Sequence, residues 1–226
     1  MRTKTLLAGL ALAFLTGLAP TTVAIAEDEA QTTFDGLVPV EGARVAMAYI
    51  DPNADFSVFT RVAILDPFVS FRSNWKRNQN RSRRRNLRAS DVERIKTDVS
   101  ALFRDVFIER LEAAGFEITT EAGEDVLVLR PAIIDLDVTA PETRTAGRSR
   151  TYTASAGAAT LYIELIDSIS GDIIGRAADR RASRRGGMMT WSNRVSNRAE
   201  ARRMAGRWAD KLIEFLAQGY GVKGDK

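Results

Sequence analysis

The sequence predicts an α/β fold, a two-layer sandwich in which a mixed β-sheet carries two amphipathic helices on one face. Three observations carry this. A short apolar run precedes a long capped helix and is followed by more strand-like segments. A hairpin pattern comes later, and a second long helix with an apolar stripe closes the chain. A strand–helix–strand start implies a right-handed crossover with at least one parallel pairing. A hairpin adds antiparallel edges, and helices with one apolar face must lie on a sheet.

The first strand is placed at Arg61–Leu65, where Val62-Ala63-Ile64-Leu65 is a run of the buried-strand kind. Pro67 limits its pairing, and Phe68-Val69-Ser70-Phe71 is expected to continue it past a bulge. The first helix opens at Ser90-Asp91-Val92-Glu93, read as a capping box. Ile95, Val99, Leu102, Phe103, Val106, Phe107 and Leu111 then form one continuous apolar stripe. Gly115 ends it, because glycine enters the left-handed C′ conformation without penalty.

Strands are expected again at Phe116–Thr119 and Val126–Val138, separated by the turn Glu121-Ala122-Gly123-Glu124-Asp125. Residues 139–150 read as a polar loop. Ala154–Asp167 and Asp172–Ser183 are expected to form a hairpin around Ser168-Ile169-Ser170-Gly171. The closing helix is placed at Arg198–Gln218, with Asn197 as cap and Glu200 at N3. Ala201, Met204, Ala205, Trp208, Leu212, Phe215 and Leu216 make its buried stripe.

The first 26 residues have the three parts of an export signal. Arg2 and Lys4 supply the positive start, Leu6 to Ala19 the apolar stretch, and Ala24-Ile25-Ala26 the small-x-small cleavage pattern. The expectation is cleavage after Ala26 and a periplasmic location. The organisation read from the sequence is a signal peptide at 1–26 and a lead-in segment at 27–60. An α/β domain at 61–218 follows, with a basic loop at 72–88, and a short tail at 219–226 ends the chain. No later stretch reaches the roughly 20 apolar residues of a transmembrane helix, so the mature chain is expected to be soluble.

The composition removes whole classes of chemistry. The chain has no histidine and no cysteine, which excludes Ser-His-Asp and Cys-His triads, histidine-ligated zinc, disulfides and lipid attachment through a lipobox thiol. No catalytic, cofactor-binding or metal-ligating residue is assigned, and no cofactor. The remaining catalytic arrangement is a carboxylate pair. Asp135 and Asp137 would share a strand face roughly 6.5 Å apart, near the lower end of inverting-glycosidase spacing, and Glu164 and Asp167 could join them if the hairpin docks beside that strand. A strand end turning polar as it leaves the core gives the same pattern.

The formal net charge of +4 drops by two once Arg2 and Lys4 leave with the signal, so placement matters more than total. Arg72, Lys76, Arg77, Arg81, Arg83, Arg84, Arg85 and Arg88 crowd into one segment without an acid, and Trp75 lies among them. Arg180, Arg181, Arg184 and Arg185 form a second group at the end of the hairpin. Arginine's planar fork suits phosphate and carboxylate, and tryptophan can stack or enter a lipid interface. The same composition also fits a solvated insertion.

Several segments together resemble the bacterial domain-of-unknown-function family 3313. They are Tyr49-Ile50-Asp51-Pro52-Asn53-Ala54-Asp55-Phe56, Val62-Ala63-Ile64-Leu65-Asp66-Pro67, Gly123-Glu124-Asp125-Val126-Leu127-Val128-Leu129-Arg130, Ala159-Thr160-Leu161-Tyr162-Ile163-Glu164-Leu165-Ile166-Asp167-Ser168, and Trp208-Ala209. The resemblance spans about residues 34–217 and implies a small lipoprotein-like envelope protein without an established activity. This chain departs from that pattern in lacking the lipobox cysteine.

The reading is therefore a non-enzymatic periplasmic envelope protein, a binding or scaffold module meeting an anionic envelope component through its arginine-rich segment. Lipid phosphates, peptidoglycan carboxylates or an acidic partner protein would serve as that component; export argues against nucleic acid. The alternative is a carboxylate-dependent hydrolase of envelope glycans using Asp135 and Asp137.

Overall fold

The computed structural model describes residues 33–81, 86–138, 152–153, 158–182, 190–191 and 194–218. The signal at 1–26, the tail at 219–226, the 139–150 loop, Arg83, Arg84, Arg85, Arg184 and Arg185 lie outside the described residues.

The elements run β1 (Val38–Pro39), β2 (Met47–Ile50), a 3-10 turn at Phe56–Val58, β3 (Arg61–Ile64), β4 (Phe68–Phe71), α1 (Trp75–Arg81) and α2 (Ala89–Ala113). They continue with β5 (Glu117–Ile118), β6 (Val126–Asp137), β7 (Tyr152–Thr153), β8 (Ala158–Asp167), β9 (Ile173–Ala182), β10 (Thr190–Trp191) and α3 (Arg194–Ala217). Eight described strands form one sheet in the order β1-β2-β9-β8-β6-β3-β5, with β4 also on β6. β3 and β4 both pair parallel to β6, and β6, β8 and β9 are antiparallel neighbours. The sheet is mixed, as the strand–helix–strand start and the hairpin require.

Pro67 acts as the sequence suggests. β3 pairs with the first half of β6 through Ile64↔Leu129, and β4 resumes beside the second half at Phe68↔Ala132. The chain steps aside at Leu65-Asp66-Pro67, where a residue without an N–H would interrupt the ladder.

The core lies between one sheet face and the two long helices. Alternation along β6 and β8 turns Leu127, Leu129, Ile133, Leu161, Ile163 and Leu165 inward, against Phe103 and Phe107 of α2 and Trp208 of α3. Phe103 and Phe107, one helical turn apart, stack with centroids 4.0 Å apart. α2 ends as expected: Gly115 takes φ 97°, and the Phe116 N–H reaches back to the Leu111 carbonyl.

Both long helices start earlier than expected. α2 begins at Ala89, so Ser90 lies inside it; Asp91 instead accepts from the Arg88 backbone N–H at 3.0 Å and performs the reach-back assigned to Glu93. α3 begins at Arg194, which places Asn197 within the helix rather than at its cap. The lead-in segment is also more ordered than its turn signals suggest. Met47–Ile50 pairs with β9 at Tyr49↔Arg176, and Phe56 is fully buried against Phe215. Alanine and tyrosine in a four-residue strand give little periodicity to read.

Candidate functional site: a cationic depression at the edge strand

The basic segment is not a loop throughout. Its first half is α1, a seven-residue helix entered through Asn74, whose φ of 64° suits asparagine's tolerance of left-handed backbone. Lysine, arginine and glutamine favour the helix and offset its two asparagines. Trp75 stacks on Phe71 with centroids 3.8 Å apart and packs with Leu87, Val92 and Ile95. At the far end Asn80 Oδ1 accepts the Leu87 N–H at 2.8 Å, tying the returning chain to the helix.

This corrects the role read for Trp75. Its side chain is only 3% exposed, and its indole N–H donates to the Val138 carbonyl at 2.7 Å. Both the apolar body and the polar handle are committed inside the protein, so it anchors α1 and forms part of the depression's wall rather than an exposed recognition group.

With Trp75 turned inward, Lys76, Arg77 and Arg81 face water. A broad, open depression of about 700 Å³ lies between the β4 strand, α1 and the start of α2, lined by Phe68, Val69, Ser70, Phe71, Arg72, Asn74, Trp75, Lys76, Arg77, Asn80, Val92 and Lys96. Arg72 also pairs with Asp137 at 3.3 Å, and Lys96 with Glu93 at 3.0 Å. Lys76 and Arg77 form no ion pair among the described residues. Phe68 is 64% exposed on the rim, an aromatic ring among cations. Phe68 and Lys96 were missed from the sequence: both read as members of regular elements, and only the fold sets them beside α1. Arg88, the residue before α2, is exposed but does not line the depression.

The second arginine group stays apart. Arg180 lies opposite Thr160 on β8, which faces Ile134 on β6; from there to β4 is three strand spacings, about 14 Å. Arg181 donates to Asp179 at 2.8 Å.

The strand around the two aspartates departs from the regular alternation expected for it. A bulge interrupts the β6–β8 register between Ile134 and Asp137, and Asp135 takes φ 52° at that point. The extra residue breaks the two-residue alternation that would have set both carboxylates on one face. Asp135 is exposed, and Asp137 is turned toward Arg72. β8 does dock beside β6, but Glu164 sits opposite Arg130, four residues along from the Thr160–Ile134 pair, or roughly 13 Å.

Glu164 belongs instead to a cross-strand row on the sheet face away from the helices. Arg130, Glu164 and Arg176 are direct partners across β6, β8 and β9. Arg130 Nε donates to Glu164 at 2.6 Å, the Tyr162 hydroxyl donates to its other oxygen at 2.8 Å, and Arg176 extends the row to Asp35 at 2.7 Å. Burial, and then the hydrogen bond to Glu164, push the Tyr162 phenol up to about 12. Every charge in the row has a partner, so it reads as a clamp between the lead-in segment and the sheet.

These features define a mixed-sheet α/β sandwich with a cationic depression at one sheet edge. The chain belongs to the family described as protein of unknown function (DUF3313), whose model matches residues 26–212. No curated protein matches it. Among solved structures it is similar to protein XCC0632 from Xanthomonas campestris, a DUF330 protein (9% identity, 72% of this chain and 87% of that chain, TM-score 0.41). It is also similar to the PelC dodecamer from Paraburkholderia phytofirmans (14%, 70% and 89%, 0.37) and to a minor lipoprotein from Acinetobacter baumannii (12%, 71% and 95%, 0.32). Each likeness is weak. No described helix is long and apolar enough to cross a membrane.

The segments that resemble the family combine core residues such as Val62, Leu127, Leu165 and Trp208 with polar residues that serve turns and pairing. Arg61 holds Asp125 through two bonds, 2.8 and 2.5 Å, with Thr60 adding a third at 2.9 Å. Hydrogen bonding from Arg61, then Thr60, holds the Asp125 carboxyl well below the usual carboxylate range. Ser168 Oγ accepts the Gly123 N–H and donates to the Gly123 carbonyl, and Asp51 and Asp55 accept from the backbone two residues on. They keep strand ends in register.

Proposed function

We propose that this is a non-enzymatic envelope protein that docks on phosphate-bearing surfaces through the depression beside α1. The observation that carries this reading is Lys76 and Arg77 on the water-facing side of a helix pinned by Trp75, with Phe68 exposed on the same rim. Guanidinium and ammonium groups suit phosphate oxygens, and an exposed phenylalanine on the same rim suits the apolar side of the headgroup–acyl boundary. Arg83, Arg84 and Arg85 continue the charge run in sequence and support the same reading. Export, expected from residues 1–26, would bring the mature chain to such surfaces.

The test is cosedimentation with vesicles of phosphatidylglycerol and, as control, phosphatidylcholine, over a salt series. Binding to the anionic vesicles is expected at low salt and should weaken as salt rises, because exposed charges are screened over about 8 Å at physiological ionic strength. Basic residues near such a surface contribute roughly 1 kcal/mol each, so the double substitution Lys76→Gln and Arg77→Gln should weaken binding about thirtyfold. Equal binding by both proteins, or by both vesicle types, would overturn the reading.

A further inference from the structure

A second concavity lies on the other side of the molecule and has the opposite character. It is a half-enclosed cavity of about 310 Å³ between α3, the inner faces of β2, β8 and β9, and the 40–45 turn. Its floor is Phe107, Leu161 and Ile163, and Trp208 and Phe215 flank it. It exists because β2 and β9 place Ala48 and Ala177 where larger side chains would fill the space beneath α3. Interiors are packed near crystal density, so a space this size is large for a small domain. It also falls in the lower part of the range typical of ligand sites.

The mouth is polar and strapped. Arg44 pairs with Glu214 at 2.6 Å, and Lys211 reaches both the Arg44 carbonyl and, at 3.3 Å, Asp179. Asp179 is further engaged by the Trp208 indole N–H at 3.2 Å and by Arg181. Asp179 is thereby neutralised, whereas the Arg44 side chain is 73% exposed and spends one guanidinium nitrogen on Glu214. The remaining N–H groups of Arg44 are available to an anionic group at the opening.

We propose that this cavity takes a single medium-length acyl chain, with its anionic head at Arg44. Walls that are mostly carbon give water few hydrogen-bond partners, while an alkyl chain gains from leaving water in proportion to the area it buries. At about the 30 Å³ of a liquid water per methylene-sized group, the volume holds roughly ten carbons. The carboxylate or phosphate of such an amphiphile would lie beside the Arg44 guanidinium, the bidentate partner it suits. The site is separate from the depression at α1, and neither proposal depends on the other.

The test follows the Trp208 indole N–H resonance of the full mature chain during titration with decanoate. A saturable shift is expected. Ala48→Phe, which fills the cavity, should weaken decanoate at least tenfold, and Ala48→Val should fall between the two. If the phenylalanine variant does not fold, Ala48→Val and Ala177→Val decide the matter by graded weakening. Arg44→Gln should weaken decanoate several-fold and leave 1-decanol unchanged. A ten-carbon lysophosphatidylglycerol forms the parallel arm: tighter binding than decanoate assigns the site to a lipid, looser binding to a free fatty acid. Absence of a saturable shift with either amphiphile, or undiminished binding by folded Ala48 variants, would overturn the proposal. Equal weakening of decanoate and decanol by Arg44→Gln, or of neither, would overturn the anionic head.

Discussion

The depression beside α1 and the cavity beneath α3 are built from opposite materials by opposite means. The first is shallow, cation-rich and drawn largely from one stretch of chain, Phe68 to Asn80, with Val92 and Lys96 added from α2. The second is half-enclosed and apolar, and it gathers residues from β2, α2, β8, β9 and α3. Their supports differ too. α1 hangs on a small satellite cluster around Trp75 and Leu87, whereas the cavity is set into the main core. A surface that depends on one buried tryptophan can be detached without unfolding the body; a cavity floored by the core cannot.

That contrast can be broken most forcefully at the core. Trp208→Ala removes a buried ring that touches Phe103 and donates to Asp179, and should cost on the order of 3–5 kcal/mol, a large share of the stability of a domain this size. Chemical denaturation measures it, and a loss under about 1 kcal/mol would mean that α3 contributes little to the core. Trp75→Ala should cost less, roughly 3 kcal/mol. It should also abolish most vesicle binding, while Trp208 and its resonance stay as they are. If vesicle binding survives it, charge alone and not the geometry of α1 makes the surface.

A smaller effect concerns pH. Asp125 is held below its ordinary value by Arg61 and Thr60, so its contribution to the folded state is full above the usual carboxylate range, begins to fall as pH enters that range and is lost as pH drops on to its own lowered value. Denaturation midpoints at pH 7 and pH 3 should therefore fall further for the native protein than for Asp125→Asn. An equal fall in both would mean that the Arg61 pairing adds nothing to acid sensitivity. The smallest effect is expected from Arg180→Gln: no change in vesicle binding beyond about twofold, since it lies about 14 Å from β4. A tenfold loss would enlarge the docking surface across the open sheet face.

What was legible in the sequence follows the same division. The long periodic stripes of Val99–Leu111 and Ala201–Leu216 and the stop at Gly115 declare the two helices, and the short hairpin turn at Gly171 declares β8 and β9. The charge run at 72–88 is visible because it is contiguous. Hidden were the facts that depend on long-range contact. Trp75 looks like an exposed recognition residue until Phe71 and Leu87 close over it. Asp135 and Asp137 look paired until a bulge, which leaves no mark in composition, turns the strand between them. The cavity was wholly unread, because it is defined by the smallness of Ala48 and Ala177, residues 129 positions apart in the sequence, opposite large neighbours.

Hydrogen exchange of the mature chain with and without phosphatidylglycerol vesicles tests the central claim most directly. The amides of β4 and α1, residues 68–81, should slow on vesicle binding, while those of β2 and α3 keep their rates. Slowing confined to β2 and α3, or none at 68–81 under conditions where the protein sediments with the vesicles, would contradict it.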